Sequence, residues 1–350
     1  MKSKLLSFLK YILLLIVAFG LLVIAFRGVS VGKILNQMLQ ANIFWVVASV
    51  IPSLVALVSR AYRWNLLIES SGYSSSLDKT TYSLLVGYFA NLAFPRLGEV
   101  TRCGALSKAE SIPFNVLLGT VIVERVVDVV SLLLCLLLAC ILEFNRLGNF
   151  LLDNIVNPLF KKIVQLFHSP FFLTGFILLV IALAFILKYF KRRTNESGRE
   201  SKAAGFIKGL INGLKSVTKL KRPWLFIFHS VFIWLLYYLS MYILFFAFPF
   251  TSGLGLSAAL FLLVAGGFGM SAPVQGGIGV YHILVSQGLM LYGLSQQEGL
   301  TFATLAHTLS LVTVVVLGVI SLLLLFAANK KKQVAERKTN LYERVEGRRS

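Results

Sequence analysis

Acidic residues are scarce in this 350-residue chain, with 14 Asp and Glu against 34 Lys and Arg. Charged positions make up 14% of the sequence, where ordinary soluble domains carry about 25%. With 57% hydrophobic residues, a water-soluble fold is excluded, because too little polar surface remains to cover the core. Cysteine is almost missing. Cys103, Cys135 and Cys140 lie in or beside apolar segments without Cys-x-x-Cys spacing, so they read as small apolar residues and not as a disulfide framework or metal set. HExxH, GxSxG, DxD and GxxxxGK[ST] patterns are absent, which excludes a self-contained hydrolase, metal enzyme or nucleotide-binding loop and implies no cofactor and no metal. The alternating pattern of a membrane barrel is also missing, since the apolar runs are continuous and rich in Leu.

Those runs are what the sequence has in abundance. A helix needs about 20 apolar residues to cross a bilayer core, and segments near 5–26, 43–68, 114–142, 171–190, 223–248 and 300–328 meet that length. The chain therefore reads as an all-α polytopic membrane protein. Lys2, Lys4 and Lys10 before the first run imitate a signal peptide, but no convincing small-x-small cleavage site follows, so a retained first helix is expected. Segments 81–95 and 256–272 each end at a proline followed by glycine-rich sequence. They read as re-entrant hairpins, tolerated at membrane depth where protein or a wet cavity satisfies the interrupted backbone.

The formal charge of +20 is concentrated beside the apolar runs. Residues 188–222 carry 11 Lys and Arg against 2 Glu, residues 330–350 carry 8 against 3, and the first ten residues carry 3 Lys. Such runs orient membrane segments and attract anionic headgroups, which is more economical than nucleic-acid binding. A basic loop at 191–222, a basic tail at 329–350 and the N-terminus all placed in the cytoplasm require an even number of crossings. Six crossings plus two hairpins satisfy this within an integral membrane domain at 1–328. They divide it into halves, about 5–142 and 171–328, of the same order and opposite orientation. Both hairpin tips read Pro-x-x-Gly, at Pro95–Gly98 and Pro273–Gly276. An inverted repeat of this kind places a transport site between two broken elements near mid-bilayer.

Charge at depth is costly, about 2.5–3.5 kcal/mol per residue on insertion scales, so the few buried candidates are informative. Glu99, Glu124 and Asp128 are the carboxylates expected at depth. Glu124 and Asp128 share a helix face, and Arg125 reaches Asp128 at a spacing of three. Arg96 and Arg102 flank Gly98 and Glu99, forming a cationic tip suited to a phosphate or other anion; the alternative is that these arginines anchor the tip or are neutralised by Glu124 and Asp128. The second tip, with Gln275, Gly276, Gly277 and Gly279, allows close backbone approach. His282 and His307 read either as a proton relay or as packing residues. Arg60, Arg63 and Trp64 read as an interfacial arginine and aromatic belt.

Taken in order, Asn91, Pro95–Glu99 and Arg102, then Glu124–Asp128, then Pro273–Val280 resemble the three signature regions of the lysylphosphatidylglycerol synthase transmembrane family, also called flippase-like. Arg60, Arg63 and Trp64 resemble its early Arg/Trp segment, and the resemblance covers roughly residues 5–328. It implies a lipid translocator of a bacterial-type cytoplasmic membrane, moving a phospholipid or lipid-linked headgroup, with an anionic headgroup as partner. In that family's multiple peptide resistance factors the membrane region moves aminoacylated phosphatidylglycerol, and a separate soluble domain performs the aminoacyl transfer. This chain stops at Ser350 after a short basic tail, so the synthase activity is not carried over. Many members have a glutamate shortly after the glycine motif, where this chain has Tyr281-His282. An accessory enzyme in lipid aminoacylation or lipid-linked glycosylation, working with a partner enzyme, is the alternative expectation; a membrane scaffold is the third.

Overall fold

The computed structural model describes residues 16–17, 19–94, 97–144, 165, 174 and 202–346. Among the described residues the regular structure is helical. Ten helices are labelled here as α1 (Val31–Leu39), α2 (Ile43–Ser70), α3 (Leu77–Ala93), α4 (Gly98–Glu110), α5 (Phe114–Leu142), α6 (Lys202–Leu214), α7 (Pro223–Phe245), α8 (Leu256–Ser271), α9 (Val280–Met290) and α10 (Gln296–Glu346). A short stretch at 19–25 is helical as well. Four helices are long and apolar enough to cross a bilayer: α2, α5, α7 and the 296–328 part of α10. The expected crossing at 171–190 and most of the one at 5–26 lie outside the described residues.

Local chemistry sets the boundaries. Ser30 and Asn42 cap α1 and α2, their side chains accepting from Lys33 N–H and Phe44 N–H. Two pairs of shorter helices, α3 with α4 and α8 with α9, follow later in the chain; in the first pair Asn91 of α3 accepts from Gly98 N–H at 2.6 Å, satisfying a free donor at the start of α4. α3 and α4 touch at their backbones there. A Cβ on Gly87 would lie 2.8 Å from Gly98 O and 2.9 Å from Arg102 Cβ, so only glycine permits the approach that seats Arg102.

Helices α2 and α7 form the largest seam. Ser240 Oγ donates to Ser49 O at 2.7 Å, Ser59 Oγ lies 2.8 Å from His229 Nδ1, and Arg63 Nη1 reaches Ser230 Oγ at 3.5 Å. Numbers rise along one helix as they fall along the other, so the two run antiparallel. Around this seam the packing is reciprocal: α5 lies on α8 of the second helical pair, while α10 lies on α3 of the first. The helices that precede the seam follow the same rule, with α1 against α10 and α6 against α5. The α5–α6 crossing is close, since a Cβ on Gly119 would lie 2.7 Å from Gly213 Cα.

The outer surface is apolar. On α5, Val126, Val130, Leu133, Leu134, Leu137 and Ile141 are all more than half exposed. A continuous wall of this kind is covered by lipid tails and not by water.

Candidate functional site

One set of the bundle's charges is gathered inside it. α2 presents Arg60, Arg63 and Trp64 on one face, at spacings of three and four; α4 presents Glu99 and Arg102; α5 presents Glu124, Arg125 and Asp128. Three helices thereby bring four guanidinium groups to two carboxylates. Arg60 Nη2 donates to Glu124 Oε1 and to Asp128 Oδ2, each at 2.8 Å. Arg63 Nη2 donates to Asp128 Oδ1 at 2.6 Å, and Arg102 Nη1 to Glu124 Oε2 at 3.1 Å. Arg125 Nη2 lies 2.9 Å from Glu124 Oε1 and 3.2 Å from Asp128 Oδ2. Glu99 and Arg125 form the part-exposed edge, with Glu99 4.0 Å from Arg125 Nη1. Arg63 and Glu124 are fully buried, and Arg60 and Arg102 nearly so.

Polar and aromatic groups complete the surround. Trp64 is fully buried and donates through Nε1 to Thr120 Oγ1 at 2.9 Å. Its ring lies 4.7 Å from the Arg102 guanidinium carbon. Arg60 lies over Tyr88 of α3 at 5.8 Å and donates to Tyr237 Oη of α7 at 3.4 Å. Several donors nevertheless remain unused. Arg102 Nη2, the Nε atoms of Arg60, Arg63 and Arg125, and the buried hydroxyl of Tyr88 have no hydrogen-bond partner. Four guanidinium groups against Glu124 and Asp128 leave a surplus of two positive charges, or one when Glu99 is counted. Such a cluster offers an anion both uncompensated charge and open donor positions.

Arg60, Arg63 and Trp64 are therefore not an interfacial belt; burial against Glu124, Asp128 and Thr120 overturns that expectation. The argument from scarcity that singled out Glu124 applies equally to two arginines inside an otherwise uncharged span, and it was the available signal. Tyr88, Tyr237 and Ser230 had no comparable signal, since each is a common residue within an apolar helix. Pro95 and Arg96 lie outside the described residues. Cys103 is buried, and Cys135 and Cys140 are partly buried free thiols.

The second turn is separate in composition. Gln275–Gly277 form one 3-10 turn between α8 and α9; Gly276 and Gly277 within it, and Gly279 just before α9, have φ of +55°, +75° and +83°. Side chains other than glycine rarely adopt these angles. His307 of α10 donates through Nε2 to Gly276 O at 2.7 Å, and Gly279 N–H donates to His282 Nδ1 at 3.4 Å. Gln275 is buried, with Oε1 unpartnered. Gly276 sits between Leu92 of α3 and Leu311 of α10, so the second turn adjoins the end of the first helical pair's leading helix.

Fold and site together define an all-helical, multi-pass membrane protein built around a buried arginine and carboxylate cluster. The chain belongs to the family of the lysylphosphatidylglycerol synthase transmembrane region, whose model matches residues 11–318. It is 24% identical over 341 residues to the UPF0104 membrane protein MJ1595 of Methanocaldococcus jannaschii, covering 93% of this chain and 97% of that one. It is also 24% identical over 134 residues to the UPF0104 membrane protein PH1989 of Pyrococcus horikoshii, covering 37% of this chain and 40% of the relative. No solved structure matches.

Proposed function

We propose that this protein moves an anionic phospholipid, or a lipid-linked phosphate headgroup, between the leaflets of a cytoplasmic membrane. The supporting observation is the surplus of guanidinium charge in the cluster of buried Arg60, Arg63 and Arg102 with the part-exposed Arg125, in which Arg102 Nη2 and Tyr88 Oη are left without partners. Guanidinium forks suit phosphate oxygens geometrically, and a buried cation without a full complement of acceptors gains by binding them. Glu124 and Asp128 hold the guanidinium groups apart in this reading, and Glu99 with Arg125 forms its edge.

The architecture proposed for this task is six crossings with two re-entrant pairs, α3/α4 and α8/α9, in an inverted repeat. The antiparallel α2–α7 seam and the reciprocal packing of α5 on α8 and α10 on α3 support it. Basic residues near both chain ends and at 188–222 support cytoplasmic termini.

The test is a translocation assay in reconstituted vesicles containing fluorescent phosphatidylglycerol or a zwitterionic analogue, with Arg102→Gln as the diagnostic variant. Movement of the anionic probe that falls with Arg102→Gln, in protein that still elutes as a folded species, supports the proposal. No movement of any probe, together with a covalently altered lipid product, would replace it with the partner-dependent enzyme.

A further inference from the structure

We infer that an anionic lipid meets the cluster from the side, between the start of α4 and the face of α5, and that Glu99 is the counter-ion its phosphate displaces; this rests on the reading of the cluster as an anion site. Arg60 stands ten residues before the end of α2 at Ser70, and Arg125 eleven residues after the start of α5 at Phe114. At about 1.5 Å per residue, both lie about 15 Å from the polar base of the first helical pair, where Ser76 and Lys79 meet Glu110. That is half of a hydrocarbon core about 30 Å thick. Three of the guanidinium groups are sealed at this depth, with side chains 8, 0 and 3% exposed at Arg60, Arg63 and Arg102, whereas Arg125 is 39% exposed and Glu99 29%. The frame of the opening is apolar. Ile122, Val126 and Val129 flank Arg125 at spacings of three, one and four, and Leu97 and Val100 stand on either side of Glu99; all five are exposed. A guanidinium part-exposed beside lipid-facing residues at mid-depth is costly unless an anion meets it there.

The contacts of Arg125 single out the carboxylate that can leave. Its Nη2 is held by Glu124 at 2.9 Å and Asp128 at 3.2 Å, both also bonded to buried arginines. Its Nη1 has Glu99 alone among the described residues, at 4.0 Å and so beyond hydrogen-bond reach. For Glu99 in turn, Arg125 is the one ion pair among the described residues. A phosphate oxygen bonded to Nη1 at about 2.7–2.9 Å, the usual charge-assisted distance, gains more than this long contact loses. Glu99 also has somewhere to go. It lies in the first turn of α4, where a displaced carboxylate stays beside the positive end of the helix. While it remains at Arg125, it repels an arriving phosphate. Glu99 thus sets how tightly the mouth holds an anionic headgroup, and its removal should strengthen binding, whereas loss of a residue that grips the headgroup would weaken it.

Photo-crosslinking of the full chain, in nanodiscs of phosphatidylcholine with a minor share of phosphatidylglycerol, tests both parts. A photoreactive residue in place of Val129 reads the lipid at the mouth, and one in place of the equally exposed Leu137 reads the same wall further along. Phosphatidylglycerol should be enriched about threefold at Val129 over Leu137, and about threefold again in Glu99→Gln, which removes the competing charge and keeps the shape. Glu99→Ala should give the same rise, so the result does not hang on one variant. Arg125→Gln should bring Val129 down to the level of Leu137. Inorganic phosphate in the buffer should change none of this, because the mouth faces acyl chains. Equal enrichment at the two positions, or loss of the enrichment to inorganic phosphate, overturns entry from the side; enrichment that falls or stays level in both Glu99 variants overturns the counter-ion. Fluorescent phosphatidylglycerol that crosses vesicle membranes while the Glu99 variants leave the enrichment level removes the counter-ion and keeps the translocator. Enrichment that rises in those variants, with no probe crossing, does the reverse.

Discussion

Arg102 lays its guanidinium 4.7 Å from the centre of the Trp64 ring while its Nη1 reaches Glu124 at 3.1 Å. One cation is thus held between an aromatic face on α2 and a carboxylate on α5, and α4 is fixed to both helices through a single side chain. A cation over a desolvated indole is worth about 2 kcal/mol.

Trp64 therefore has separable roles. Trp64→Phe should keep an aromatic face for Arg102 but lose the donor to Thr120, costing about 1–2 kcal/mol. Trp64→Leu loses both and leaves space, costing about 3 kcal/mol or more. Thermal unfolding in a constant detergent checks the order; equal losses for both variants would remove the cation–ring contribution.

Glu124 is the acceptor shared by Arg60, Arg102 and Arg125. Glu124→Gln should destabilise by about 3–5 kcal/mol, because it leaves guanidinium groups buried without their counter-charge. Adding Arg102→Gln should recover part of that loss, with a coupling energy of about 0.5–3 kcal/mol. Strict additivity in the double-mutant cycle would show that the two side chains do not act on each other.

Glycine substitutions on α4 should have opposite signs. Gly98→Ala forces a Cβ into Gly87 O and Asn91, so α3 and α4 must separate, at about 1–3 kcal/mol. Gly104→Ala meets nothing within 4 Å and should stabilise the helix by about 0.5–1 kcal/mol. The same unfolding measurement reads both; a neutral Gly98→Ala would mean the two backbones are not in contact.

Acid should loosen the base of the first helical pair, outside the four candidate spans. Burial pushes the Glu110 carboxyl up, but Ser76 N–H and Oγ, at 3.0 and 2.7 Å, and Lys79 at 3.3 Å outweigh it and hold the group below its ordinary value. A hydrogen bond from Ser76 similarly holds Asp78 down. A depressed carboxyl contributes stability above its unfolded value, about 4.3 for Glu, and loses it as pH falls through the folded value. Protease sensitivity at the base of the pair, at 71–76 and 111–113, should therefore rise below about pH 4 and stay flat from about pH 6 to 8. Glu110→Gln should raise the neutral-pH sensitivity and flatten the acid response.

The sequence carried the helical class and the positions of α2, α5, α7 and α10, because long apolar runs have one stable form in a bilayer. It also carried Glu124, Arg125 and Asp128 as neighbours, since their spacing fixes them to one helix face. Contacts between distant segments were less accessible. Arg60 meets Glu124 through a crossing of α2 and α5 that no local pattern specifies, and an arginine followed by tyrosine and tryptophan has the same composition whether it lies at an interface or in a core. The Gly87–Gly98 contact was hidden for a related reason: a small residue records permission for close approach, not the partner that uses it.

The reciprocal packing bears on synthesis. The arginine and carboxylate cluster draws its charged members from α2, α4 and α5, all complete by Leu142, and among the described residues it takes hydrogen bonds from later sequence at Ser230 and Tyr237. The first helical pair is different, because α3 is covered by α10 and Gly318 lies against Phe89. A nascent chain can pair Glu124 and Asp128 with their arginines early, but it must shelter one flank of α3 by other means until α10 has left the ribosome.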